Sequence, residues 1–392
     1  MKISPWPYFD DEQIGQVVNV LKKGKVNSWH GNETKNFEKE FASWSNNKYA
    51  IAIANGSLAL SSAYLSLNIG KGDEVITTPR TFIATASSIS LLKAVPIFAD
   101  VDINSGNITA KNIEPLISKK TKAISVVHLA GWPAEMIEIK KLAKEYKLNV
   151  IEDCAQSHGA KIKLNGDFKS VGSFGDVAAW SFCQDKIIST GGEGGMITTD
   201  NNEIFKRIWS LKDHGKSYEL SFKKTDSYCF RWLHENFGSN FRLTEMQSAI
   251  GRSQLKLMND WHQKRTRNAM ILYEILSQIT NLRIPIPPDN LIHAWYKFHC
   301  YIRENSLLDG WNRDRIVNEI RKKSYPAFSG SCSEIYLEKC FKKNSIKKQK
   351  RLMNAKSLGE SSLMFLVHPT ITIDQMKEYA LTIKSILDIA KR

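Results

Sequence analysis

Short apolar runs rich in β-branched residues alternate with helical patterns through the first 250 residues, and this alternation limits the possible folds more than any other feature. It favours a mainly parallel sheet with helices on both faces, which binds ligands at the carboxyl ends of its strands. The predicted strands are YAIAIA (49–54), EVITTP (74–79), VPIFADV (95–101), KAISVVHL (122–129), NVIEDC (149–154), VAAWSF (177–182) and GGMITTD (194–200).

The pattern changes after about residue 250. DWHQKRTRNAMILYEILSQI (260–279) predicts one long helix, and a proline-rich break, IPIPPDN, follows it. HAWYKFHCYI then predicts a strand, and a last helix starts near Ile373. The 392 residues exceed the size of one simple core, so we predict a large α/β domain over 1–255 and a smaller α+β domain over 256–392.

The net charge of +15 indicates either an anionic partner or a lysine-rich surface in contact with solvent. The lysines are spread along the chain, and KKNSIKKQKR (342–351) is a local cluster. No zinc-finger, RRM or KH signature accompanies them, so we expect no specific nucleic-acid partner.

The sequence indicates neither secretion nor a metal site. The N-terminal MKISPWPYFDDEQ lacks the apolar core of a secretory signal, and no apolar run is long enough to span a bilayer. The six cysteines form no CxxC pair, so no zinc or redox motif is indicated. We expect a cytoplasmic protein without a membrane span or a metal.

Three local features could form a site, although each also has an ordinary structural explanation. Lys186 lies between an apolar strand and the glycines of GGEGG, where it could equally be a surface lysine. Asp153 ends a predicted strand, which is also a common position for a capping residue. The segment containing Gly56 and Ser57 enters a helix, where it could bind an anion or act as a plain N-cap.

Together the three features suit pyridoxal phosphate. Its aldehyde condenses with a lysine amine, which Lys186 would supply. An aspartate such as Asp153 keeps the pyridine nitrogen protonated, so the ring can accept electrons. A helix N-terminus binds the phosphate. The glycines after Lys186 would leave space near the reacting centre.

Several segments, in order, resemble the DegT/DnrJ/EryC1/StrS family of PLP-dependent nucleotide-sugar aminotransferases. The resemblance covers nearly the whole chain and implies the type I fold of PLP-dependent transferases, which is aspartate aminotransferase-like. The segments are FEKEFASW (37–44), NGSLAL, TFIAT (81–85), FADVD (98–102), HLAGWPAEM (128–136), EDCAQSHGA (152–160), SFCQDKIISTGGEGGMITTD and GSNFRLTEMQSAIGRSQL (238–255).

The resemblance assigns four residues to the cofactor ring. Lys186 corresponds to the catalytic lysine that carries the cofactor, and Asp153 to the acid that pairs with the pyridine nitrogen. Gln156 corresponds to a side chain near the phenolic oxygen, and Phe82 to the aromatic residue that stacks on the ring.

The resemblance also assigns the phosphate contacts and the assembly. Gly56, Ser57 and Ser181 correspond to phosphate contacts within one chain. Asn240 corresponds to an asparagine that reaches the phosphate of the neighbouring subunit, which implies a homodimer with shared active sites. Arg242 next to it is as well explained by an ion pair as by a substrate contact.

The implied reaction is transamination of a nucleotide-linked keto sugar for surface polysaccharide assembly, with L-glutamate as amino donor. We predict a 4-keto-6-deoxy hexose as the acceptor. Dehydration of the sugar is the alternative within the family. Family members that dehydrate sugars carry histidine where this chain has Lys186, so transamination is favoured. A non-catalytic regulatory or nucleic-acid-binding protein on the same fold is a further alternative, suggested by the charge.

Sugar contacts are expected near 27–30 and in HAWYKFHCYI, where a buried aromatic strand is an equal explanation. Trp132 is bulkier than the family pattern and could shape the sugar pocket. The sequence assigns no role to Arg80 or to residues 328–341.

Overall fold

The strands predicted in the first 200 residues come together in one seven-stranded sheet of the computed structural model, which describes residues 3–224, 229–343 and 350–392. The described strands are β1 (Tyr49–Ile53), β2 (Glu74–Thr77), β3 (Val95–Phe98), β4 (Thr121–Val127), β5 (Asn149–Asp153), β6 (Lys161–Leu164), β7 (Asp167–Ser170), β8 (Val177–Ser181), β9 (Gly195–Thr199), β10 (Leu282–Arg283), β11 (Leu291–Ile292), β12 (Phe298–Ile302) and β13 (Ser362–Phe365).

The central sheet has the strand order β1-β9-β8-β5-β4-β2-β3. Strands β3, β2, β4, β5 and β8 run parallel, whereas β9 is antiparallel to both of its neighbours. The carboxyl ends of β4, β5 and β8 therefore meet at one edge. The predicted α/β fold with a mainly parallel sheet is confirmed.

Helices pack on both faces of this sheet and surround the smaller sheets. Half of the fourteen described helices begin at a side-chain cap, and α9 and α14 begin with complete capping boxes at Thr244 and Thr372. The helices are α1 (Asp11–Lys23), α2 (Glu33–Trp44), α3 (Gly56–Ser66), α4 (Ala84–Leu91), α5 (Ala110–Ile113), α6 (Met136–Glu145), α7 (Asn202–Lys212), α8 (Tyr218–Phe222), α9 (Glu245–Lys256), α10 (Met258–Leu276), α11 (Arg313–Lys322), α12 (Lys339–Lys343), α13 (Met353–Ser361) and α14 (Ile373–Ala390).

The alternation of side chains along a strand divides the large core in two. In β1, Ala50 and Ala52 face one helical layer, whereas Ile51 and Ile53 face the other. Both layers exclude water from the sheet, so only its edges are open to ligands.

A second core lies in the last third of the chain. The sheet β10-β12-β13 packs against α10, α11 and α14 through buried aliphatic and aromatic side chains. Ala355 and Leu358 of α13 nevertheless belong to the core of the large sheet. The domain boundary between 255 and 256 stays a prediction.

The hairpin β6–β7, which pairs with β11, is absent from the sequence prediction. Asn165 and Gly166 form its turn with φ of 51° and 96°, as a tight hairpin turn requires. Within the described ranges, no helix combines the length and the apolar character needed to cross a bilayer.

Candidate active site

A cavity of about 1000 Å³ lies at the carboxyl ends of β4, β5 and β8. This is the position at which parallel sheets bind ligands. Seven of the eight predicted site residues line it, contributed by four separate segments of the chain. They are Gly56, Ser57, Phe82, Asp153, Gln156, Ser181 and Lys186.

Lys186 is held by both its backbone and its side chain. Its carbonyl accepts a hydrogen bond of 2.8 Å from the indole N–H of Trp6. Its amine lies 3.4 Å from the hydroxyl of Tyr296 and 3.7 Å from a carboxylate oxygen of Asp185. Only 14% of the side chain is exposed, so the amine points into the cavity and away from bulk solvent.

Asp153 ends β5 at the bottom of the cavity. Burial raises the pKa of its carboxyl, while hydrogen bonds from the Thr85 hydroxyl (2.8 Å) and the Ala155 amide (3.1 Å) lower it in part. A buried carboxylate of this kind is stabilised by a cationic group placed against it. It therefore suits a protonated ring nitrogen.

Phe82 and Gln156 offer a stacking surface and a donor. Phe82 lines the cavity with 62% of its surface exposed, which leaves its ring available to a flat ligand. The Gln156 carbonyl oxygen accepts a 2.7 Å hydrogen bond from the Ala130 amide. This contact orients the side chain and leaves its NH₂ group as a donor.

The first turn of α3 forms an anion cradle. The Asn55 side chain caps the amide of Leu58, and the first amides of a helix have no acceptor within it. A Cβ on Gly56 would lie 2.7 Å from the Ser181 Cβ, so glycine lets this turn approach β8. The dipole of α3 and the Ser57 and Ser181 side chains then favour a phosphate here.

The glycines after Lys186 have a different effect from the one expected. None of the four lines the cavity, whereas Glu193 among them does. A Cβ on Gly195 would lie 2.7 Å from the backbone of Asn55. Gly195 therefore allows the start of β9 to pack against the turn before α3, and none of the four glycines lines the space beside the lysine.

Asn240 does not line the cavity of its own chain. It is exposed, forms a β-bridge with Asp213, and accepts a 3.4 Å hydrogen bond from the Arg242 amide. Arg242 binds Asp213 at 2.9 Å, so the ion-pair interpretation of Arg242 describes its contact in this chain.

Two residues beside Lys186 were missing from the sequence prediction. The Tyr296 hydroxyl donates a hydrogen bond to the Asp185 carboxylate. Burial and that carboxylate raise the pKa of Tyr296, so its hydroxyl stays protonated. Burial alone would raise the pKa of Asp185, but Lys186 and Tyr296 together lower it. Asp185 has a signal, its position next to Lys186, and Tyr296 has only its place in HAWYKFHCYI, where sugar contacts are expected.

The segments with no role or only an expected sugar contact lie in different places in the structure. Residues 328–332 supply Phe328, Gly330 and neighbours to the cavity, and HAWYKFHCYI supplies Tyr296 and Lys297. Trp132 lines a separate cavity of about 20 Å³, and residues 27–30 do not line the large one.

Arg80 is fully buried, and its three guanidinium nitrogens have no hydrogen-bond partner among the described residues. Its guanidinium lies 5.5 Å from the ring centroid of Tyr301. Most of the basic cluster 342–351 lies outside the described residues.

Behind the cavity, donor atoms of His128, Glu152 and Cys154 lie within 4.8 Å of one another. Glu152 already accepts hydrogen bonds from His128 (3.0 Å) and from the amides of Gly172 (2.7 Å) and Gly175 (2.5 Å). Burial raises the pKa of the Cys154 thiol, whereas a metal binds the thiolate. The group therefore holds the segment 172–175 against β5.

Comparisons with known proteins identify the family of the chain. The chain matches the DegT/DnrJ/EryC1/StrS aminotransferase family over residues 7–384. It is 48% identical to a solved aminotransferase from Psychrobacter cryohalolentis, with a TM-score of 0.96 and 99% of each chain covered.

Two curated relatives act on sugar nucleotides by name. The dTDP-3-amino-3,6-dideoxy-alpha-D-galactopyranose transaminase of Aneurinibacillus thermoaerophilus is 37% identical over 307 residues, 76% of this chain and 79% of the relative. The GDP-perosamine synthase of Escherichia coli O157:H7 is 32% identical over 326 residues, 82% and 85% of the two chains.

The fold and the family match define an aminotransferase of the type I fold, as the sequence predicted. The chain belongs to the DegT/DnrJ/EryC1/StrS aminotransferase family.

Proposed function

We propose that the protein is a pyridoxal phosphate-dependent aminotransferase that moves the amino group of L-glutamate to a nucleotide-linked 4-keto-6-deoxy hexose. Its product would enter surface polysaccharide assembly. The observation that carries the proposal is the placement of Lys186 and Asp153 in one cavity, together with the first turn of α3. A surface lysine or an ordinary capping residue would not be expected to share a cavity with the other two features.

The residues present fit the cofactor. Asp153 would hold the ring nitrogen, Phe82 would stack on the ring and Gln156 would donate to its phenolic oxygen. The phosphate would bind at Gly56, Ser57 and Ser181, which line the same cavity as the ring contacts. When bound, the cofactor supplies an electron-accepting ring, which makes the α-carbon of the donor acidic.

The chain's own residues would move the protons. The neutral amine of Lys186 takes a proton from the α-carbon of the donor, and later a proton from this amine reaches the sugar carbon that receives nitrogen. The Tyr296 hydroxyl, 3.4 Å away, positions the amine between these events. Asp153 keeps its charge at the bottom of the cavity, which favours the protonated ring nitrogen.

Two relatives support the proposed substrate class. Both curated relatives carry nucleotide-sugar names, and one of these names specifies a 3-amino-3,6-dideoxy product. The names support a nucleotide-linked deoxy hexose as acceptor, and amination at C4 rather than C3 is our own prediction. Histidine in place of Lys186 would favour dehydration, and the chain has lysine there.

A homodimer with shared sites is part of the proposal. The segment before Asn240 exposes Phe230, Trp232 and Phe237 by 77%, 85% and 100%. Large apolar side chains grouped in this way mark an interaction surface. We propose that a second copy covers them and that Asn240 then reaches the partner's phosphate site.

The first test is an absorbance spectrum of the purified protein with pyridoxal phosphate, before and after L-glutamate. The expected violet band shifts into the near ultraviolet with glutamate, and Lys186→Ala lacks the band. Absence of any cofactor binding would overturn the proposal. Binding without the glutamate shift would reject this donor or favour the dehydratase alternative.

The acceptor and the dimer need separate tests. Glutamate-treated enzyme is offered nucleotide-linked 3-keto and 4-keto 6-deoxy hexoses, and recovery of the violet band with the 3-keto sugar alone would reject C4. For shared sites, inactive Lys186→Ala and Asn240→Asp subunits are mixed. Random exchange should restore about a quarter of the wild-type activity, because half of the dimers then hold one intact site. No recovery in exchanged dimers would reject sharing.

A further inference from the structure

Lys297 is a second amine in the cavity, and the sequence predicts nothing for it beyond its place in HAWYKFHCYI, where sugar contacts are expected. It immediately precedes β12, and 13% of its side chain is exposed. Its amine lies 4.0 Å from the Asp185 carboxylate and 4.6 Å from the centroid of the Tyr296 ring. Of the described residues that line the cavity, Lys186 and Lys297 are the only lysines, and none is an arginine.

The two amines share one counter-ion. Asp185 lies 3.7 Å from Lys186 through one oxygen and 4.0 Å from Lys297 through the other. The Tyr296 hydroxyl also donates to it. A single carboxylate therefore serves two cations, and buried charges are stabilised when each has a partner.

Further positive charge lies behind this pair. Arg265 is fully buried and bonds the Trp295 carbonyl at 3.3 Å, while its Nε and Nη2 have no partner among the described residues. His368, which also lines the cavity, is neutral because burial lowers its pKa to about 3. The wall of the cavity around Lys297 thus has an excess of positive charge.

The position of the Lys186 and Lys297 amines indicates which kind of anion binds beside them. Both amines lie within 4.0 Å of the same carboxylate, so a ligand that reacts at Lys186 passes close to Lys297. In an amino-acid donor, the α-carboxylate is one bond from the reacting carbon, and the second carboxylate of glutamate is three bonds away. In a nucleotide-linked keto sugar, the diphosphate is separated from the keto carbon by ring atoms.

We propose that Lys297 binds a carboxylate of the amino-acid donor and so determines the preference for a dicarboxylic donor. This inference rests on the proposed function. Lys297 is then a specificity residue that acts in the donor half of the reaction, while Lys186 does the chemistry. Between donor molecules Asp185 pairs with the Lys297 amine, and it releases this amine when a donor binds.

The test uses the enzyme loaded with pyridoxal phosphate and two inert probes, glutarate and inorganic pyrophosphate, measured by calorimetry. Lys297→Met should weaken glutarate binding about 10- to 100-fold, because a hydrogen bond to a charged group is lost. Pyrophosphate binding should stay within about 2-fold of the wild type. Lys297→Arg keeps the charge and should retain most of the glutarate affinity.

The matched control is Lys322→Met, since the Lys322 side chain is 70% exposed and, among the residues that the structure describes, bonds Glu319 alone. It should change neither affinity. Melting temperatures of all variants confirm that they are folded. Unchanged glutarate affinity in Lys297→Met would overturn the inference, as would an equal loss for both probes or a loss for pyrophosphate alone.

Half-reaction rates then identify the carboxylate. A loss with L-glutamate but not with L-alanine assigns Lys297 to the second carboxylate and supports the inference. An equal loss with both donors assigns Lys297 to the α-carboxylate and overturns its role in donor preference. Unchanged rates with both would overturn the inference. If the wild type fails to react with L-glutamate, the donor in the proposed function is wrong, and the glutarate measurement still tests Lys297 independently.

Discussion

The two sides of the cavity differ in origin and in chemistry. One side, the sheet edge, comes from the ends of β5 and β8 and the first turn of α3, and it holds Asp153 and the anion cradle. The other side, the C-terminal wall, comes from the last third of the chain. It consists of Tyr296, Lys297, Phe328, Gly330, Ser331, Cys332, Met364, Leu366 and His368.

The contrast assigns different tasks to the two sides. The sheet edge places a buried acid and helix amides at fixed positions, which suits a cofactor that must not move. The C-terminal wall brings an amine, a phenol and a loop from the last third of the chain, which suits substrates that enter and leave. Changes at the sheet edge should therefore affect all reactions, and changes at the wall should affect selected ones.

The largest effect should follow from Asp153→Asn at the sheet edge. The amide keeps the shape but cannot stabilise a protonated ring nitrogen, so turnover should fall by about 10²- to 10⁴-fold with every donor. Single-turnover spectra with L-glutamate and L-alanine measure it. A loss restricted to one donor would break the proposed division of tasks.

Gly56→Ala should weaken cofactor binding by about 10- to 100-fold and lower the free energy of unfolding by about 1–3 kcal/mol. The new Cβ would lie 2.7 Å from the Ser181 Cβ, which forces the first turn of α3 away from β8. Gly15→Ala in α1 is the matched control, because nothing lies within 4 Å of its added Cβ. Cofactor titration and thermal melting compare the two. Equal changes in cofactor affinity and stability for the two variants would contradict the assignment of the first turn of α3 as the phosphate site.

Ligand binding at the C-terminal wall should depend on pH, whereas binding at the sheet edge should not. The pKa of Lys297 is lowered to about 8, and burial is the largest cause. Asp185 acts to raise this pKa, whereas Arg265 and Lys186 act to lower it. The protonated amine binds the carboxylate, so glutarate affinity should be full below pH 8 and fall about 10-fold per pH unit above it. His299 and His368 nearby stay neutral, because burial lowers their pKa values.

Lys297→Arg should flatten this profile, since arginine keeps its charge through the range. Calorimetry of glutarate binding between pH 7 and pH 9.5 measures both proteins. A fall of the same steepness in Lys297→Arg would assign the titration to another group.

The smallest effect should follow from Tyr296→Phe. The variant loses the hydroxyl that positions the Lys186 amine but keeps the ring, so kcat should fall by about 3- to 10-fold with little change in KM. Tyr8→Phe is the control, because Tyr8 is 56% exposed. A change confined to KM would show that Tyr296 binds substrate instead of positioning the lysine.

The same contrast explains what could be predicted from the sequence. Asp153, Gly56 and Lys186 each follow a local signal, namely a strand end, a helix start and a strand followed by glycines. Tyr296 lies 110 residues from the lysine that it contacts, and their meeting depends on how the last third of the chain packs against the core of the large sheet. No local pattern encodes that packing.

Other differences have equally specific causes. The hairpin β6–β7 was missed although Asn165 and Gly166 carry its turn signal, because its strands are short and rich in lysine. Asn240 follows from the family resemblance alone, since a contact to a second copy has no counterpart within one chain. Lys297 has no distinguishing pattern among the chain's many lysines.

The hydrogen bond from Trp6 to the Lys186 carbonyl joins residues 180 positions apart. Contacts this distant close only after much of the chain has lost its conformational freedom, and they slow folding. We therefore expect the cavity to form among the last parts of the molecule. A cofactor that binds only the completed cavity would draw the folding equilibrium toward the native state by mass action, so its supply would set how much folded enzyme a cell holds.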